Sequence, residues 1–129
     1  MGDLAAHVAK IARLRFPESA VPDSLRENFS RMSEVCLAMI RLANQSLKDR
    51  DAVAALRMAE IDHEIDHLRR DHFGVLLGES WSGSVEQAID VALLGRYFER
   101  FADHAVAVAR RVIYIITGQF PEGEEWPNA

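Results

Sequence analysis

Gly95-Arg96-Tyr97-Phe98-Glu99-Arg100-Phe101-Ala102-Asp103-His104-Ala105 is the stretch whose reading decides the fold. It lies inside a longer run from Ser84 to Gly118, in which Val91, Leu94, Phe98, Phe101, Ala105, Val108, Val112 and Ile115 recur at alternating spacings of three and four. That spacing predicts a long helix with a coiled-coil-like buried seam. Glu99 and Asp103 are four apart, so they lie one turn above each other. At 100° per residue the pair falls on the side away from the seam, with Arg96 and Arg110 nearby.

The same signal repeats outward from this helix. Ser84, with Gln87 three residues on, matches a capping box and marks its start, and Gly118 marks its end. Before it, Ala54, Met58, Ile61, Ile65, Leu68, His72 and Val75 form a seam between Asp51, a suitable N-cap, and Gly78, a suitable stop. His72 stands in that seam and reads as a packed, hydrogen-bonded core histidine. A third seam, Leu25, Phe29, Met32, Cys36, Met39, Ala43 and Leu47, starts after Pro22 and fades at Lys48-Asp49-Arg50. A shorter helix over Met1 to Phe16 places Leu4, Val8, Ile11 and Leu14 on one side and stops at Pro17. It has no convincing cap and no obvious partner. The expectation is an all-α chain: one short helix over 1–16, an antiparallel three-helix bundle over 22–118, and a flexible tail over 119–129.

Composition narrows the function classes. The chain has 129 residues, of which 49% are apolar, enough for one domain with a core. A net charge of −5 and the lack of a Lys/Arg cluster argue against nucleic acid as a partner. The single cysteine, Cys36, cannot form an intrachain disulfide and reads as a small buried hydrophobe in a reducing compartment. No apolar run reaches the roughly 20 residues of a membrane span.

The densest chemistry is Glu60-Ile61-Asp62-His63-Glu64-Ile65-Asp66-His67. Glu60/Glu64 and His63/His67 project away from the seam, whereas Asp62/Asp66 project beside it, near Arg69 and Phe73. A hard cation wants several oxygen ligands, and carboxylates one turn apart supply two from one direction. Asp62 and Asp66 are therefore candidate metal ligands, with Glu99 and Asp103 the obvious donors from a second helix. Spacing leaves open whether the two pairs share one site or serve separate surface clusters. His63-Glu64-Ile65-Asp66-His67 also matches HExxH, in which two imidazoles hold zinc and the glutamate activates water. The longer metzincin pattern fails, because Arg70 and Phe73 stand where Gly and His are wanted. Three readings stay open: a cation-binding regulatory protein, a zinc-dependent hydrolase using His63, Glu64 and His67, and a plain helical oligomerisation fragment.

Arg96-Tyr97-Phe98-Glu99-Arg100-Phe101-Ala102-Asp103-His104-Ala105 resembles a motif of the PhoU family of phosphate-signalling proteins. Asp62-His63-Glu64-Ile65-Asp66 resembles the family's other acidic motif, and 112–118 its closing segment. Gly2-Asp3-Leu4-Ala5 looks like the tail of a further Glu-xxx-Asp motif. The resemblance implies a tandem of two spectrin-repeat-like three-helix bundles, with 1–16 as the end of the first bundle's last helix and 22–118 as the second bundle. It also implies exposed apolar surface and homo-oligomers. By position it implies divalent or ferric metal ions, iron among them, at Asp62, Asp66, Glu99, Asp103 and Asp3. Ala107 departs from the pattern, which often has Asn there. The implied role is a cytoplasmic, non-enzymatic adaptor that negatively regulates phosphate uptake. Its implied partners are a phosphate ABC transporter and a membrane sensor histidine kinase.

Overall fold

The computed structural model describes residues 1–121; positions 122–129 of the expected tail lie outside the described residues. Four helices follow one another: α1 (Gly2–Arg15), α2 (Arg26–Asp49), α3 (Ala52–Leu77) and α4 (Val85–Thr117), with a 3₁₀ turn at Asp23–Leu25 before α2. No strand occurs among the described residues. The chain is all-α, as its periodicity predicts.

Local chemistry sets the helix ends. An Asp51 carboxylate oxygen accepts hydrogen bonds from the backbone N–H groups of Val53 (2.9 Å) and Ala54 (3.1 Å), satisfying two of the donors that the first turn of α3 leaves open. The Ser84 hydroxyl does the same for the Gln87 N–H at 3.0 Å. Gly118 ends α4 in the left-handed region, φ 74°. At the α2–α3 corner Arg50 adopts φ 52°, an unusual conformation for a residue with a Cβ.

α2, α3 and α4 pack pairwise into a bundle, and α1 lies along α4. Met32, Met39, Met58, Ile65, Val91, Ala102 and Ala105 are fully or almost fully excluded from solvent. Three seam positions differ from expectation. Leu14, Leu47 and Ile115 are 72%, 58% and 66% exposed. Each sits in the last turn of its helix, where the helical period continues but no neighbouring helix extends to cover it. α4 has a second buried row that the seam did not reveal, Gly95, Ala102, Ala109 and Ile113. These residues are mostly small, so the backbones of α3 and α4 can approach closely.

That approach is tightest at His72. A Cβ on Gly95 would lie 2.1 Å from His72 Cε1. The imidazole is buried, stacked on Phe29 (ring centroids 5.4 Å apart, 14° between planes) and tilted against Phe73. The expected packing is there, but the expected hydrogen bond is not: neither ring nitrogen has a partner. Phe29, Phe73 and Gly95 surround the ring with carbon and leave it no acceptor.

α1, which shows no partner in sequence, docks antiparallel on α4. Arg15 donates to both carboxylate oxygens of Asp90 (2.5 and 3.1 Å) and to Glu86 (2.7 Å), and His7 stacks on Tyr97. Between α1, α2 and α4 runs an apolar cavity of about 220 Å³, lined by Leu4, Val8, Cys36, Leu37, Tyr97 and Phe101 among others. The Cys36 thiol at this cavity is pushed up to about 12, chiefly by burial, so it is a packed hydrophobe and not a thiolate.

Candidate functional site: an acidic surface between α3 and α4

α3 and α4 run antiparallel, so His72 meets Gly95 and Arg69 meets Glu99. Continuing the same register brings Asp62 and Asp66 toward Asp103. The electrostatics agree. Asp62 is pushed up to about 6, first by burial and then by repulsion from Asp66, Asp103 and Glu99, with His63 opposing. Asp103 is also raised, by burial first and then by Glu99 and Asp66, against Arg96 and Arg100. The two pairs therefore feel each other's charge across the α3–α4 contact.

The four carboxylates are not equivalent. Asp66 and Asp103 are exposed and Asp62 is half-buried. The Glu99 side chain is only 14% exposed, because it borders the small-residue row of α4 and points toward α3. Its two oxygens are both taken. One accepts from Arg69 Nη1 at 2.5 Å and the other from Arg96, one turn away on the same helix. The Arg69 guanidinium also lies over the Phe73 ring, 5.5 Å from its centroid. Asp3 is exposed on α1 and is not among the charges that act on Asp62 or Asp103.

The donor types suit a hard cation, since four carboxylates from two helices offer oxygen ligands from two directions. Their placement is less suited. Among the described residues, no three His, Cys, Asp or Glu side chains are gathered closely enough to hold one ion together.

The HExxH stretch is differently engaged. Arg31 on α2 donates to both oxygens of Glu64 (2.6 and 3.1 Å), and His67 approaches Asp71 at 3.5 Å. The glutamate that would activate water is thus held in a guanidinium fork, and His63 is exposed without a neighbouring third ligand of that kind among the described residues.

Sequence reasoning found all four acids of the surface and placed Arg69 and Arg96 near them. It missed that these arginines occupy Glu99, and it missed the Arg15–Asp90 pair. An acid at position 90, between Ile89 and Val91 and one turn before Leu94, was the available signal for the latter.

Comparison with known proteins follows the same lines. The family profile described as PhoU domain matches residues 29–112. The chain is 43% identical over 129 residues to the phosphate-specific transport system accessory protein PhoU homolog 1 of Mycobacterium leprae, covering 100% of this chain and 58% of that protein. It is 46% identical over 121 residues to PhoU homolog 2 of Mycobacterium tuberculosis, covering 94% and 57%. A PhoU homolog of Zymomonas mobilis is 31% identical over 125 residues, covering 95% and 52%. The chain thus spans somewhat over half the length of these relatives. No solved structure matches it significantly. No helix among the described residues is long and apolar enough to cross a membrane.

Proposed function

The chain belongs to the PhoU domain family, and from that membership we propose that it is a regulatory adaptor of phosphate transport, with no catalytic activity of its own. The observation that carries this reading is the match along the whole chain, at 43% identity, to a protein named as an accessory of the phosphate-specific transport system. In the same reading the adaptor works in the cytoplasm, negatively regulates phosphate uptake, and contacts a phosphate ABC transporter and a membrane sensor histidine kinase.

The surface supports an interaction role. Phe16, Ile89 and Leu93 are 83%, 54% and 42% exposed, large apolar side chains left in contact with water. Self-association or partner docking would cover them. The acids Asp62, Asp66, Glu99 and Asp103 form the proposed cation-binding surface, with iron or another hard metal ion as its occupant. Asp3 would join only through a rearrangement of α1.

Two measurements test this. Immobilised phosphate-transporter ATPase subunit and the cytoplasmic part of the sensor kinase should each retain the purified chain; no retention by either would remove the adaptor reading. Elemental analysis of the wild type beside an Asp66→Ala/Asp103→Ala variant tests the acidic surface, which requires metal in the first and its loss in the second. The hydrolase reading predicts peptide turnover abolished by Glu64→Gln. The Arg31–Glu64 fork favours a structural role for Glu64, with no turnover in either protein.

A further inference from the structure

Beyond Thr117 the chain turns back on α4. Gly118 takes up the left-handed conformation, φ 74°, and its N–H donates to the Tyr114 carbonyl at 2.8 Å. The Phe120 ring then stacks on Tyr114, with centroids 4.4 Å apart and 13° between planes. This return carries Pro121, the last described residue, to the mouth of a groove of about 230 Å³ between α3 and α4, which it helps to line. The groove is there because the facing side chains are small: Ala55 and Ala109, both buried, form its floor. Leu56, Ala59 and Val106 stand along its sides, and Leu56 is 55% exposed. Arg110 supplies its charge.

We propose that this groove is the seat of the chain's own C-terminal segment, 122–129, with Trp126 as its anchor. The path is set by the described residues, since the turn at Gly118 and the Tyr114–Phe120 stack aim the chain back along α4 and into the groove at Pro121. The reach suffices. Trp126 is five residues beyond Pro121, about 16 Å of extended chain, whereas the groove from Ile113 to Val106 covers about 10 Å of α4. The chemistry matches as well. An apolar groove suits an indole, which buries more surface than any aliphatic side chain. Charge follows the right order along the segment. Glu122, Glu124 and Glu125 come first, at the end of the groove that holds Arg110. The uncharged Trp126-Pro127 follows, where the groove runs toward Asp62 and Asp103, about one turn beyond Ala59 and Val106. The reverse order would set glutamates against those aspartates. Docked there, Trp126 covers an apolar part of the α3–α4 contact, so a partner reaching for this groove must displace it, and the docking needs no ion on the acidic surface.

The chain has two tryptophans, so Trp81→Phe leaves Trp126 as the single indole. In that parent chain Trp126 emission should lie to the blue of indole in water. Acrylamide should quench it about threefold less than in a further variant, Ala59→Glu, whose longer charged side chain fills the groove and shifts the segment to its undocked state. Ala59 is exposed and glutamate suits a helix, so the bundle should stay folded, which circular dichroism checks. Glu124→Lys/Glu125→Lys alters only the segment, places like charge against Arg110, and should raise quenching in the same direction. Water-like emission in the parent chain, or equal quenching in the three proteins, overturns the docking. So does protection that disappears on dilution, which would seat the segment on a second copy instead.

Discussion

His72 carries a proton-linked cost that can be measured directly. Burial, helped by the nearby Arg69 and opposed by Asp71, lowers its pKa from the ordinary 6.5 to about 4. Between those values the unfolded chain binds the proton and the folded chain does not. Stability present above pH 6.5 is therefore lost as pH falls through this window toward 4. A His72→Leu variant should lose that acid sensitivity, with an effect of about 2–3 kcal/mol between pH 7 and pH 4 in parallel urea titrations. Asp62 works in the opposite sense. Its pKa is raised, so the stability it contributes is full below the ordinary 3.8 and is lost as pH rises through about 6. Asp62→Asn should thus stabilise the fold at pH 7 by about 1–2 kcal/mol, after allowance for solvent screening, and by almost nothing at pH 3.5. Equal effects at both pH values would show that Asp62 acts through packing instead.

The pairing of α3 with α4 depends on small residues. Gly95 lies in mid-helix, where alanine would ordinarily be preferred by about 1 kcal/mol. Here the added Cβ would collide with an imidazole wedged between Phe29 and Phe73, which has little room to turn. Gly95→Ala should therefore lower stability by about 1–2 kcal/mol net. In a His72→Ala background the same change should become neutral or favourable; a cycle with no such coupling would refute the contact as the cause. At the helix start, Asp51→Ala removes an acceptor for two backbone donors and should cost about 1 kcal/mol by thermal melts. Caps of this kind are readable in sequence because donor and acceptor lie two or three residues apart. The Gly95–His72 contact is not, since nothing within α4 says which side chain of α3 will face the glycine.

At the scale of the molecule, α1 is the element held by the fewest neighbours. It packs on α4 and is anchored by Arg15 to Asp90, whose side chain is only 9% exposed. Removing Arg15 leaves that carboxylate buried without its cation. Arg15→Ala should raise amide exchange in α1 about tenfold or more while α2, α3 and α4 keep their protection, a local opening distinct from global unfolding. Uniform loss of protection throughout would show instead that α1 and the bundle form one cooperative unit. The detached helix would also uncover the apolar cavity at Leu4, Val8 and Phe101, so association should rise in the variant.

The sequence by itself determined the helices, their ends and the identity of the acids, because those are local properties. A seam of spacing three and four, an Asp or Ser before a helix, and a glycine after it each act within a few residues of chain. Only the tertiary structure decided what the acids face. α4 buries two adjoining rows, one readable as a large apolar seam and one of small residues that looks like nothing in particular until α3 is laid upon it. The register of α3 on α4 then puts Glu99 at the edge of the contact and within reach of Arg69, and it sets Asp62 and Asp66 against Asp103. Register is a relation between two helices, fixed by how their ridges and gaps interlock, and the period of either helix is the same in every register.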